Sequence, residues 1–206
     1  MRTLEEYKKD YYGRRPFDFA DNSYQIEYFH QGEVKESAIG TSDISAHLPL
    51  LEFLARMCDH ITEFGVREGF STTAFLSGRP KVLRSYDLNP TSFDVDPESI
   101  KPTDWKFTQQ NTIDPNFIID TTDLLFIDTL HTFHQVQQEL ALHHDKVRRW
   151  IVFHDTVAHG EVSKDIPGVL GITKAITGFL RTHKNEWEMA YESRINNGLI
   201  VIERKR

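Results

Sequence analysis

The chain has 206 residues, of which 39% are hydrophobic, with 14 phenylalanines and a formal net charge of −7. This is enough apolar material for one cored domain with some decoration, and the negative balance argues against broad electrostatic attraction to nucleic acid. Cys58 is the only cysteine, which excludes a disulfide framework and a cysteine-built metal site.

Residues 1–40 are polar and aromatic-rich (Tyr7, Tyr11, Tyr12, Phe17, Phe19, Tyr24, Tyr28, Phe29) without a sustained period. They read as an N-terminal extension with one short helix, lying over the active site or packed on the outside of the fold. Residues 1–10 lack the apolar run of a signal peptide, and no stretch reaches bilayer length, so a soluble cytoplasmic protein is expected. From Thr41 the pattern becomes regular. Ser42 and Asp43 suit a helix cap and Pro49 a first turn. Ile44, Leu48, Leu51, Ala55 and Cys58 then recur at helical spacing through about Met57, so Cys58 reads as a buried helical thiol.

A strand over 60–64, a helix over 70–76 and a strand over 81–86 follow, then a polar loop with Pro90, Pro97 and Pro102 and a short strand over 105–108. Residues 123–127 form a continuous apolar run, the pattern of a strand buried on both faces of a parallel sheet. Phe133, Val136, Leu140 and Val147 mark the inner face of a helix, 150–153 is another buried strand, 155–168 a polar loop and 171–180 a helix. Strands over 187–192 and 199–203 around Asn196-Asn197-Gly198 read as a terminal hairpin. Strands alternating with helices and ending in a hairpin predict a Rossmann-like three-layer α/β sandwich.

The chemistry gathers after the strands, where α/β folds place ligands. Glu63, Gly65 and Gly69 form E-x-G-x-x-x-G, followed by Ser71 and Thr72. This is not the dinucleotide G-x-G-x-x-G. An acid at the strand tip repels pyrophosphate and suits a cationic ligand, which points to S-adenosyl-L-methionine (SAM) rather than NAD. Asp87 lies about 20 residues beyond the loop, the separation at which an acid accepts ribose hydroxyls, and it also reads as a turn residue before Asn89-Pro90. Asp128 and Asp155 close consecutive buried strands, and two adjacent acids need a neutralising partner such as Mg²⁺ or Mn²⁺. His131, three residues past Asp128, can take a proton from a hydroxyl at neutral pH, or cap the helix starting near Thr132. His143 and His144 read as surface residues, His134 as a neighbour of the site, and His159 as a residue that could line an acceptor pocket.

With these residues in place, the chain resembles the class I SAM-dependent methyltransferases, in particular the small metal-dependent O-methyltransferases of the catechol type and of sugar and antibiotic biosynthesis. The resemblance spans roughly 41–206 and rests on Glu63, Gly65, Gly69, Phe70 and Ser71, on Asp128-x-x-His131, on Phe153-His154-Asp155 and on the closing Asn197-Gly198-Leu199-Ile200-Val201. It implies a mostly parallel seven-stranded sheet with a C-terminal antiparallel hairpin. It also implies that Gly65 and Gly69 admit the cofactor, that Glu63, Ser71 and Asp128 hold its methionine end, that Asp87 binds ribose and Asn111 reads adenine. Asp128, Asp155 and His154 become metal ligands and His131 the general base. The family pattern is broken at Arg67 in the loop, at Thr156 where catechol-type members have Asn, and at His154 where other relatives have an acid. The expected partner is a small-molecule acceptor, a sugar among the candidates, with no nucleic acid or membrane, and the N-terminal arm offers a surface for self-association. A different class, a hydrolase or oxygenase using Asp128, His131, His154 and Asp155 without SAM, also stays open.

Overall fold

The computed structural model describes residues 1–11 and 42–206. In chain order the elements are α1 (Leu4–Tyr11), a 3₁₀ turn (Ser45–His47), α2 (Leu48–Ala55), β1 (His60–Phe64), α3 (Phe70–Gly78), β2 (Val82–Asp87), β3 (Asp104–Gln109), β4 (Thr122–Ile127), α4 (Phe133–His143), a 3₁₀ turn (His144–Lys146), β5 (Val147–His154), α5 (Thr173–Thr182), β6 (Trp187–Ser193) and β7 (Leu199–Arg204). The strands form one seven-stranded sheet in the order β3-β2-β1-β4-β5-β7-β6. β3 through β5 run parallel, and β7 inserts antiparallel between β5 and β6. The expected sandwich and terminal hairpin are therefore both present, and Asn196 and Asn197 supply the positive φ values, 46° and 69°, that the connection needs.

The continuous apolar runs arise because successive strand residues point to opposite faces. Leu124 and Phe126 of β4, Trp150 and Val152 of β5, and Leu199 and Val201 of β7 pack on one side with α1, α2 and α3. Leu125 and Ile127, Ile151 and Phe153, and Ile200 and Ile202 pack on the other with α4 and α5. An alternating sequence could bury one of these layers but not both.

Several expectations shift. The helix expected from Ser42 opens instead as the 3₁₀ turn, with α2 beginning at Leu48 and Pro49 in its first turn. Cys58 lies past the end of α2, buried, its thiol donating to the Leu54 carbonyl at 3.3 Å and pushed up to about 12 by burial. Val147 is not on the face of α4. The 3₁₀ turn ends that helix, and the β-branched Val147 starts β5. The expected N-terminal helix is α1, which buries Leu4 and Tyr7 in the same layer as α2 and α3. Residues 12–41, and with them the expected boundary at 40 and an arm over the site, lie outside the described residues.

The chain passes from β1 outward to β2 and β3, then crosses back to β4 on the other side of β1. The tips of β1 and β4 thus flank a topological switch point, the crevice in which open α/β sheets receive ligands. No helix among the described residues is long and apolar enough to cross a membrane.

Candidate active site

The glycine loop joins β1 to α3. Gly65 and Gly69 have φ of 88° and 83°, and the Gly69 N–H donates to the Val66 carbonyl at 2.8 Å. Asp87, at the tip of the neighbouring β2, holds the loop from the side. Its Oδ2 accepts from Val66 N at 2.9 Å and Arg67 N at 3.2 Å, and its Oδ1 accepts from Asn89 N at 2.9 Å. The turn role foreseen for Asp87 is thus real, and its oxygens keep lone pairs for further donors. Asn111 stands just beyond the end of β3, exposed, its side-chain oxygen accepting from Ile113 N at 3.2 Å.

Glu63 occupies an unexpected place. It is fully buried beneath the loop, with its carboxylate accepting from Ser71 Oγ and Ser85 Oγ at 2.6 Å each and from Thr72 Oγ1 at 2.9 and 3.0 Å. Burial lifts its pKa to about 7 against the pull of these hydroxyls. The carboxylate therefore ties α3 to β1 and β2 and does not itself reach the cleft. That cleft, about 30 Å³, is bounded by Ser42, Asp43, Gly65, Val66, Arg67, Ser71 and Asp128.

Beside it, across the switch point, four titratable groups converge. The Asp128 N–H donates to the Phe64 carbonyl at 2.9 Å, which fixes the end of β4 against the end of β1. Asp155 closes β5 with φ at 59°, a left-handed conformation that Asp tolerates better than most residues. His131 is not the helix cap. Thr132 is, its hydroxyl accepting from Gln135 N at 3.2 Å, so the His131 ring is free to turn into the site. His131 Nε2 lies 3.2 Å from Asp128 Oδ1 and 2.9 Å from Asp155 Oδ2. His154 Nδ1 lies 3.4 Å from both carboxylates, and its Nε2 is 3.2 Å from the Asp43 carbonyl.

The electrostatics follow from this packing. Burial disfavours the charged form of either histidine, yet the two carboxylates win and hold both imidazoles protonated well above the ordinary histidine value. Burial likewise opposes ionisation of Asp128 and Asp155, and the imidazoles hold both well below the usual carboxylate range. Asp155 Oδ1 and His154 Nδ1 remain buried with no properly aligned hydrogen-bond partner. The expected trio Asp128, His131 and Asp155 is thus brought together, with His154 against it.

His159, read from the sequence as a residue that could line an acceptor pocket, stands with its ring centroid 4.3 Å from that of His131. Sequence reasoning missed other participants. Asp165 accepts from His131 Nδ1 at 2.8 Å. His143, expected at the surface, is fully buried, with Nε2 at 2.8 Å from the Thr112 carbonyl. Glu139 is buried too, and it accepts from Thr112 Oγ1 at 2.6 Å, Thr129 Oγ1 at 2.8 Å and Gln135 Nε2 at 2.9 Å. It thereby clamps the segment after β3 to the segment after β4.

Burial raises the Glu139 pKa from 4.5 to about 7, over the opposing hydrogen bonds of Thr112, Gln135 and Thr129. The folded state therefore holds a proton that an unfolded glutamate releases. The associated stability is complete below the unfolded value and is lost as pH rises through the folded one. Glu139→Gln is expected to flatten the fall in stability over this window by up to about 1.4 kcal/mol per pH unit. Urea unfolding of both proteins across that range checks it, and parallel pH curves would contradict a titrating Glu139.

No protein-family profile and no curated protein matches the sequence. Solved structures do match. The O-methyltransferase from Bacillus cereus in complex with SAH superposes with a TM-score of 0.54 at 16% identity, over 98% of this chain and 97% of that one. The MycE methyltransferase from the mycinamycin biosynthetic pathway, in complex with Mg, SAH and mycinamycin VI, gives 0.57 at 16% identity, over 100% of this chain and 54% of that one. At such identities the likeness is one of fold, and the chain has the Rossmann-like fold of these methyltransferases.

Proposed function

We propose that this chain is a SAM-dependent O-methyltransferase that methylates a hydroxyl oxygen of a small molecule, a sugar hydroxyl among the candidates. A divalent cation would sit at Asp128, Asp155 and His154, and His131 would act as general base. The observation that carries the reading is that the glycine loop and the acid–imidazole cluster share one crevice, with Asp128 lining the cleft of the loop and also joining the cluster.

On this reading the backbone around Gly65 and Gly69 approaches the cofactor, whose methionine end enters the cleft beside Ser71 and Asp128. Asp87, at the end of β2, would bind ribose, and Asn111, just past β3, would read adenine. Glu63 contributes from beneath by orienting Ser71.

The cation fits the residues present. Asp155 Oδ1 is a buried oxygen without a hydrogen-bond partner, and His154 Nδ1 faces Asp128 and Asp155 at 3.4 Å each, where a cation could replace its proton between them. Two carboxylates with an imidazole suit Mn²⁺ or Fe²⁺ better than Mg²⁺. Such an ion, when bound, would lower the pKa of an acceptor hydroxyl. The Mg in the MycE complex, bound together with SAH and a small molecule, supports the same pairing of chemistry.

Transfer is an in-line displacement. SAM, when bound, would supply a methyl carbon that bonds the acceptor oxygen as its carbon–sulfur bond breaks to leave S-adenosylhomocysteine (SAH). His131, freed of its Nε2 proton once a cation takes over the neutralisation of Asp128 and Asp155, would accept the hydroxyl proton at Nε2. Holding nucleophile and methyl in line supplies much of the acceleration, and the positioned base supplies more.

Calorimetry with SAH, together with mass spectrometry of denatured protein for carried-over SAM or SAH, tests the reading. Absence of both heat and carried-over nucleoside would defeat it. The rival metalloenzyme without SAM predicts metal binding alone. A separate measurement addresses the cation. At about a hundred times its dissociation constant, Mn²⁺ is expected to add about 2.7 kcal/mol to the unfolding free energy. Asp128→Ala should abolish that gain, and an unfolding midpoint indifferent to Mn²⁺ in the unmutated protein would refute the cation site.

A further inference from the structure

We propose that Asp165 is the positioning residue for His131. The loop after β5 delivers its carboxylate to the Nδ1 side of the ring, and this holds Nε2 toward Asp128 and Asp155. The inference rests on the methyl-transfer reading above, in which Nε2 must face the acceptor oxygen.

One oxygen of Asp165 grips His131 twice. Oδ2 accepts from the ring at Nδ1, 2.8 Å away, and from the backbone N–H of His131, 3.1 Å away. Rotating the imidazole by half a turn would place Cδ2 against Asp165 and Cε1 against the strand-tip carboxylates, losing every hydrogen bond of the ring. The carboxylate therefore selects one ring orientation, and an acceptor at Nδ1 keeps that nitrogen protonated, leaving Nε2 as the exchanging site.

The carboxylate is itself held in place. Ser163, 2% exposed, accepts from the backbone N–H of Asp165 at 3.2 Å and of Ile166 at 3.3 Å, which makes a tight turn. The loop is pinned at its base by the Val162–Leu170 bridge and by the Gly171 N–H donating to the Glu161 carbonyl at 2.9 Å. It is also tied to the segment carrying His131, because the Phe133 N–H donates to the Leu170 carbonyl at 2.8 Å. His159 flanks the ring, and its Nδ1 is occupied by the Lys164 N–H at 3.2 Å, so it does not compete for Asp165 as a donor at that atom. The carboxylate, 35% exposed, thus stands at the rim of the site, 2.8 Å from His131 Nδ1 and 3.8 Å from His159 Nδ1.

The test uses the full chain with ¹⁵N-labelled histidine, in the presence of SAH and the diamagnetic ion Mg²⁺. The Hδ1 proton of His131 is expected far downfield and protected from exchange. Asp165→Asn, which keeps an acceptor of the same shape but removes the charge, should move it upfield while the ring cross-peaks persist. Asp165→Leu should lose the resonance to exchange while the remaining amide spectrum stays folded. SAH affinity, measured on the same samples, should be unchanged in both variants, since Asp165 is absent from the residues lining the cofactor cleft. An Hδ1 resonance that stays put in both variants overturns the proposal. A wild-type protein that binds no SAH overturns the methyl-transfer reading instead, whatever the Hδ1 proton does.

Discussion

His131→Ala is expected to lower turnover on any hydroxyl acceptor by about 10²–10⁴-fold while leaving SAH affinity unchanged. The split follows from geometry. His131 reaches the two strand-tip carboxylates through Nε2, whereas the cleft residues of the glycine loop do not include it. An interaction needed only as the hydroxyl loses its proton lowers kcat and kcat/KM together and spares cofactor binding. Without a cation, the protonated ring also serves as counter-charge to Asp128 and Asp155. Its removal leaves His154 alone to balance both, a loss on the scale of breaking a buried ion pair, about 3–5 kcal/mol. Mn²⁺ should restore more stability to the alanine variant than it adds to the unmutated protein, because the imidazolium no longer competes for the same oxygens. His134→Ala, exposed on the first turn of α4, is the matched control and should change neither quantity. Equal losses of turnover and SAH affinity would make His131 a structural pillar and not a base.

The parts of the site that were legible in the sequence are those set by local rules. Glu63 and Asp87 lie at the ends of β1 and β2, Asp128 and Asp155 directly follow β4 and β5 with their apolar runs, and parallel packing of these strands places their carboxyl ends on one edge. The glycines reveal themselves because positive φ is costly for any other residue. Asp165 was not legible, since it sits in a polar loop without period and its partner is 34 residues away. The direction of Glu63 was also hidden. An acid at a strand tip can face the ligand or the helix behind it, and only the hydroxyls of Ser71, Thr72 and Ser85 decide. His143 is different, because its signal was available. Val136, Glu139, Leu140 and His143 fall on one helical stripe at spacings of three and four, and all four are buried. Counting only apolar members of the stripe misplaces the two polar ones, and adjacency to His144 says nothing, since neighbours on a helix point about 100° apart.

Gly65→Ala is expected to reduce SAH affinity by about 10²-fold, the equivalent of about 2.7 kcal/mol. A β-carbon at this position would stand 1.9 Å from the Asp128 carbonyl oxygen and 2.7 Å from its carbon. Both are backbone atoms of the neighbouring strand end, so no side chain can swing aside. The residue also has φ at 88°, and forcing a side chain into that region adds about 1–3 kcal/mol of strain. The loop must therefore lift from the tip of β4. That motion opens the cleft on one side and moves Asp128 within the acid–imidazole cluster on the other, so Mn²⁺ binding should weaken along with SAH binding. Two other glycines calibrate the result. At Gly69, with φ at 83°, the added carbon meets Cδ2 and Cγ of the buried Phe93 ring at 2.2 and 2.4 Å, so this variant should lose SAH affinity as well. At Gly178, inside α5, nothing lies within 4 Å. Gly178→Ala should accordingly leave binding intact and stabilise the helix by about 0.5–1 kcal/mol. Calorimetry with SAH and urea unfolding on the three variants would order them. If Gly65→Ala bound SAH as tightly as Gly178→Ala, the close approach of the β1 loop to Asp128 would not be what shapes the cofactor cleft.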